Sequence, residues 1–148
     1  MMTRIGKKAL ATGATLLATA GLATVTAPTA HAAGSYNIKI EKLTEGYIAD
    51  FCLLTTTSGN ADAACSGNKG SIGSFRLGTV HNPGDRVWLD INVVAATDRK
   101  GIDLQAKHYI RVRGSFLALE VCGWKSEASF KAGNDGLSLH GNTGICSW

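Results

Sequence analysis

The sequence predicts an all-β protein: a single antiparallel β-sandwich, immunoglobulin-like or similar, of seven to nine short strands. Two disulfides staple it, and a cleaved signal peptide precedes it. Three observations carry this reading. Turn signals recur at short intervals, with runs rich in Val, Ile, Leu, Thr and aromatic residues between them. No stretch keeps a helical apolar period through three turns. Four cysteines, at 52, 65, 122 and 146, follow an N-terminal segment laid out as an export signal.

That segment comes first along the chain. Arg4, Lys7 and Lys8 make a positive start, residues 9–25 are apolar and uncharged, and Pro28 breaks any helix ahead of Ala30-His31-Ala32. Small residues at 30 and 32 suit a signal peptidase, so residues 1–32 are assigned to the signal and 33–148 to one domain. The Ala- and Thr-rich signal resembles bacterial exports of high-G+C Gram-positive type. The 116 residues left carry 12 Lys and Arg against 11 Asp and Glu, a net charge of +1 where the whole chain has +4. Most of the basicity is discarded with the signal, so no nucleic-acid partner is expected. No second long apolar run follows, and no membrane insertion is expected after cleavage.

Strands are expected at 36–43, 47–57, 72–80, 86–95, 102–113 and 116–124, with shorter pieces at 129–131 and 137–140. Turn residues separate them, among them Asn82-Pro83-Gly84-Asp85, Asp98-Arg99-Lys100-Gly101 and Gly133-Asn134-Asp135-Gly136. The fifth shows the cleanest alternation. Ile102, Leu104, Ala106, His108, Ile110 and Val112 interleave with Asp103, Gln105, Lys107, Tyr109, Arg111 and Arg113. A two-residue loop at Gly114-Ser115 pairs Arg113 with Phe116, Ile110 with Leu119 and Val112 with Leu117, which puts both apolar sets on one side. Four cysteines allow three pairings. The local one, Cys52–Cys65 with Cys122–Cys146, is preferred because each pair brackets a turn region, and each bridge then contributes about 3 kcal/mol.

Two surfaces are candidates for ligand binding. On the hairpin's polar side stand Tyr109, Arg111, Glu120 and Trp124, with Arg111 diagonal to Glu120 and close enough for an ion pair; aromatics among charges grip ligands by stacking and directional hydrogen bonds. The alternative there is a sheet face roofed by the C-terminal segment that Cys146 ties to Cys122. Further upstream, Trp88, Asp90 and Asn92 project together, a combination suited to stacking on a sugar ring while bonding its hydroxyls. Its alternative is a Trp88 packed under a loop, with Asp90 and Arg86 in a surface ion pair. A third candidate is the polar 55–70 segment clasped by Cys52–Cys65, a pre-organised loop of the kind small inhibitors present.

Catalytic and metal chemistry find little support. The chain has no G-x-S-x-G elbow, no HxH or HExxH, no CxxC and no calcium-loop spacing. Bridged cysteines offer no thiolate. His108 falls on an apolar strand side as a core histidine, while His81 and His140 sit beside turns. No cofactor and no metal are expected. The cysteine contexts match neither the proline-flanked pattern of subtilisin-inhibitor-like proteins nor the closely spaced C-terminal pair of neocarzinostatin-like carriers. The leading expectation is a secreted, non-catalytic binding protein for an extracellular protein or glycan; the alternative is a secreted inhibitor of an extracellular hydrolase, and a small secreted hydrolase comes third.

Overall fold

A computed structural model describes residues 34–57, 62–141 and 144–148. The expected signal, residues 58–61 of the 55–70 segment, and residues 142–143 lie outside them. The described chain is mostly β. In order it forms β1 (Tyr36–Lys42), β2 (Ala49–Thr55), β3 (Asp62–Cys65), β4 (Gly73–Val80), β5 (Val87–Val93), β6 (Arg99–Asp103), β7 (Tyr109–Gly114), β8 (Leu119–Trp124), α1 (Glu127–Ala132), β9 (Gly136–His140) and β10 (Ile145–Cys146). These make two open sheets, of order β10-β9-β8-β7-β1-β4 and β3-β2-β5-β6.

Alternation on each strand explains where the core sits. Ile38 and Ile40 of β1, Phe51 and Leu53 of β2, Leu89 and Ile91 of β5, and Ile110 and Val112 of β7 all point inward, and both sheets feed the same apolar cluster. Burying each such side chain contributes about 1.5–3 kcal/mol. Lys42 is the exception on the inward side of β1, with 0% exposure. Its ammonium donates to the carbonyls of Thr44 at 2.5 Å and Gly70 at 3.0 Å, and lies 4.1 Å from the Tyr47 ring centroid. Burial lowers the lysine's pKa, and it pushes the Tyr47 hydroxyl up to about 12.

Four expectations are corrected. The larger sheet is mixed, because β1 runs parallel to β7; the chain spends β2 to β6 between them, and such a long crossover is what parallel pairing requires. The expected strand 102–113 is two strands in different sheets. Leu104 accepts the Lys107 N–H at 2.8 Å, while Gln105 and Ala106 take φ of 48° and 57°, a left-handed pair as in a type I′ turn. Leu104 and Ile110 are buried, but Ala106 in the turn is exposed and His108 only half-buried, so the apolar alternation of the sequence spans a turn at which the structure breaks it. The 129–131 piece is helical: the Ser126 hydroxyl caps the N–H of Ser129 at 3.2 Å, and Gly133, at φ 68°, closes the other end.

The fourth correction is the hairpin register. Val112 faces Val121 and Arg113 faces Glu120, with a four-residue loop closed by reciprocal Ser115 and Ala118 main-chain bonds. The pairing is displaced by four residues from the expected one. An even displacement leaves every side chain on its expected face.

Both expected disulfides are present. Cys52–Cys65 joins directly paired residues of β2 and β3, and Cys122–Cys146 joins β8 to β10. The short β3 was hidden by its small and polar composition; pairing with β2 and the bridge at Cys65 hold it.

Candidate ligand groove on the outer face of the six-stranded sheet

The hairpin surface divides in two. Its β8 side is closed: Trp124 is 1% exposed and packs with Cys122, Phe130 and Cys146 in a second apolar cluster, which Tyr109 and Trp148 flank. The indole N–H donates to the Asn134 carbonyl at 2.6 Å, and Phe130 of α1 meets the indole edge-on at 5.6 Å. Trp124 is thereby corrected from ligand contact to structural core, because the helix and the Cys146-tethered segment cover it. Arg111, with a side chain 13% exposed, bonds Glu41 of β1 at 2.5 Å and the main-chain oxygen of Trp148 at 2.9 Å. Its guanidinium lies 4.4 Å from the Phe130 centroid. Glu120 pairs with Arg113 at 2.6 Å, not with Arg111, because the register shift sets those two directly opposite. Arg113 in turn lies 4.0 Å over the Trp148 ring.

The second surface is internally engaged as well. Asp90 accepts the Gly101 N–H at 2.6 Å and meets Lys100 at 3.5 Å. Gly101, at φ 67°, sits where the β5–β6 register shifts, and this bulge aims its N–H at the carboxylate. Lys100 also donates to Asn92, whose amide reaches the Cys52 sulfur at 3.5 Å. Trp88 is half-buried with the Arg86 guanidinium 5.2 Å over its ring, and Arg86 pairs with Asp103 at 2.8 Å instead of Asp90. Asp50, Cys52 and Cys65 cluster beside this face, but both sulfurs are consumed in the disulfide and offer no thiolate to a cation.

What stays open is the other half of the outer face. A groove of about 580 Å³ runs across β4, β1 and the start of β7, bounded by α1. Tyr36, Asn37 and Lys39 come from β1, Arg76 from β4, Tyr109 from β7 and Glu127 from α1. Asn37 and Lys39 reach it because Ile38 and Ile40 take the inward positions. Pairing places Lys39 opposite both Arg76 and Tyr109. A polar chain lines one wall: Arg76 donates to the Thr79 hydroxyl, which donates to the Asn37 side-chain oxygen at 2.9 Å. At the end of the groove His108 stacks on Tyr36. Burial, with help from the Lys125 charge, holds its imidazole below the usual histidine range. Of this set the sequence singled out only Tyr109 as a ligand contact; His108, expected in the core, is half-buried at the end of the groove. The outward alternation of β1 marks Asn37 and Lys39 as surface residues, but nothing local places them beside Arg76 and Tyr109.

A separate apolar cleft of about 500 Å³ lies among the β1–β2, β5–β6 and β7–β8 connections. Ile48, Val94 and Phe116, 46%, 49% and 44% exposed, converge on it with Tyr47. His81 is exposed, and His140 is half-buried with its pKa lowered by burial and Arg99. Among the described residues no helix is long and apolar enough to cross a membrane. Comparison with family models, with curated proteins and with solved structures finds no match for the chain.

Proposed function

We propose that this chain is an exported, non-catalytic binding protein that takes an extracellular glycan along the β4–β1–β7 groove. The observation that carries the proposal is the groove itself. Tyrosine rings and hydrogen-bonding side chains from three strands line one open trough, while both other polar faces spend their groups on internal partners. Aromatic rings pack on the apolar faces of sugars, and amides and charged groups bond their hydroxyls. A trough of this volume lies within the range of small-ligand sites. Export is supported by the signal-like N-terminus and by two disulfides, which persist in oxidising compartments. A sandwich arrangement accords with the larger apolar cluster, which both sheets feed.

The test is calorimetric titration of the oxidised 33–148 chain against a panel of soluble polysaccharides. Binding is expected for at least one polymer, with loss in Tyr109→Ala and Asn37→Ala and none in Trp88→Ala. No binding across the panel overturns the proposal.

A second reading, a grip on an extracellular protein or on a hydrolase to be inhibited, is favoured by the apolar cleft. Three large side chains half exposed at one spot suit a partner's apolar anchor. The inhibitor form of this reading also has the Cys52–Cys65 staple at the base of its loop. It predicts inhibition in a hydrolase panel that Phe116→Ser or shortening of the 55–70 segment abolishes.

A further inference from the structure

We propose that the groove selects acidic glycans, polymers bearing carboxylate or sulfate groups, over neutral ones; this rests on the glycan reading above. The first observation is a like-charge pair. Lys39 and Arg76 are direct cross-strand partners on the outer face, and neither forms an ion pair among the described residues. Like charges directly opposite one another destabilise a sheet, and an anion between them relieves the repulsion. The nearby acids hold other partners: Glu41 binds Arg111 at 2.5 Å, and Glu127 binds Lys131 at 3.0 Å while also lying within the field of Lys39. Asp85, whose charge reaches Tyr36, is bonded by Thr56, Thr57 and Asn82. The Lys39 ammonium itself lies 5.6 Å from the Phe130 ring centroid.

The second observation is the charge distribution around the groove. Lys107 and Lys125 stand at the His108 end, close enough that each repels the imidazolium or the other. On the opposite sheet acids are matched to cations: Arg86 pairs with Asp103, and Lys100 with Asp90 and Asp98. These cations are thus held by carboxylates, whereas Lys39 and Arg76 face each other with no ion-pair partner among the described residues. Aromatic rings next to paired cations match a sugar ring carrying an anionic substituent. The Arg76 guanidinium bonds the Thr79 hydroxyl through one terminal nitrogen, and its other N–H donors suit a carboxylate or sulfate.

The oxidised 33–148 chain is titrated with polygalacturonate, its methyl ester, dextran, dextran sulfate and a single-stranded DNA oligonucleotide, each at two salt concentrations. Polygalacturonate or dextran sulfate is expected to bind at least about tenfold more tightly than its neutral counterpart and to weaken with salt. Lys39→Gln with Arg76→Gln is expected to lower that affinity about tenfold and flatten the salt dependence, while Arg86→Gln with Lys100→Gln leaves both unchanged. Neutral polymers that bind as tightly as acidic ones overturn the charge selection and leave the glycan reading standing. Binding to no polymer overturns both. Acidic binding that survives Lys39→Gln with Arg76→Gln overturns the groove as its site. DNA bound more tightly than either acidic polysaccharide overturns the glycan assignment in favour of a nucleic-acid ligand.

Discussion

The imidazole of His108 lies flat on the ring of Tyr36, centroids 3.9 Å apart and planes 16° from parallel. Both residues stand at the open end of the larger sheet, so the stack is shielded on one side by the core and on the other faces the groove. Burial and the Lys125 charge favour the neutral imidazole there. His140 is biased the same way by burial and Arg99.

A two-stage acid response follows. In the unfolded chain a histidine titrates near pH 6.5, and both folded values lie below that. The unfolded state then binds more protons in the window below about 6.5, so stability falls as pH drops through it and is full above it. Asp103, held below the usual carboxylate range by Arg86 and the Gln105 N–H, adds a second loss starting near pH 4. Thermal melts from pH 8 to pH 3 should show both stages. His108→Gln with His140→Gln should erase the upper one and spare the lower; an unchanged profile refutes the assignment.

Gly136 is a steric keystone for the roof over Trp124. A Cβ there would meet the indole at 2.3 Å and 2.4 Å. Because Gly136 pairs with Cys146 in the β9–β10 ladder, neither backbone nor indole has room to yield. Gly136→Ala should cost about 1–3 kcal/mol in urea unfolding and reduce the near-ultraviolet dichroism of the tryptophans. A neutral result shows that the roof is soft.

Lys42 permits a graded test of a buried cation. Lys42→Ala leaves two carbonyls without their donor and a cavity beside Tyr47, for a loss of about 3 kcal/mol. Lys42→Met keeps the stem volume and loses only the bonds, so its cost should be about half. Chemical denaturation of both variants measures the two parts; equal costs show that packing contributes nothing.

Opening the Cys122–Cys146 bridge, as in Cys122→Ala with Cys146→Ala, frees a 24-residue separation and should cost about 3 kcal/mol. In a domain of this size that corresponds to a fall of about 10 °C in Tm. The loss should come with a red shift of tryptophan emission, because the bridge secures the segment that packs Trp148 against Trp124. A lower Tm with unshifted emission means that α1 alone keeps the indole dry.

By itself the sequence determined the β character and most inward and outward faces, and it favoured, among three possible pairings, the disulfides that the structure holds. Period-two alternation is a local property of the backbone, whereas which cysteines meet depends on how the strands come together. Face assignments survived even where the register was wrong: Val112 lies inward whether opposite Leu117 or Val121, because the displacement was even. The apolar alternation of 102–113 concealed the change of sheet: Leu104 and Ile110 are buried, but Ala106 between them is exposed in the turn. Only the tertiary structure decided which residues meet. Trp124 went under α1, Glu120 to Arg113, and Lys39 between Arg76 and Tyr109, far apart in the chain. Long-range strand order is set by which apolar faces bury best together, a sum over the whole core that no local run of residues encodes.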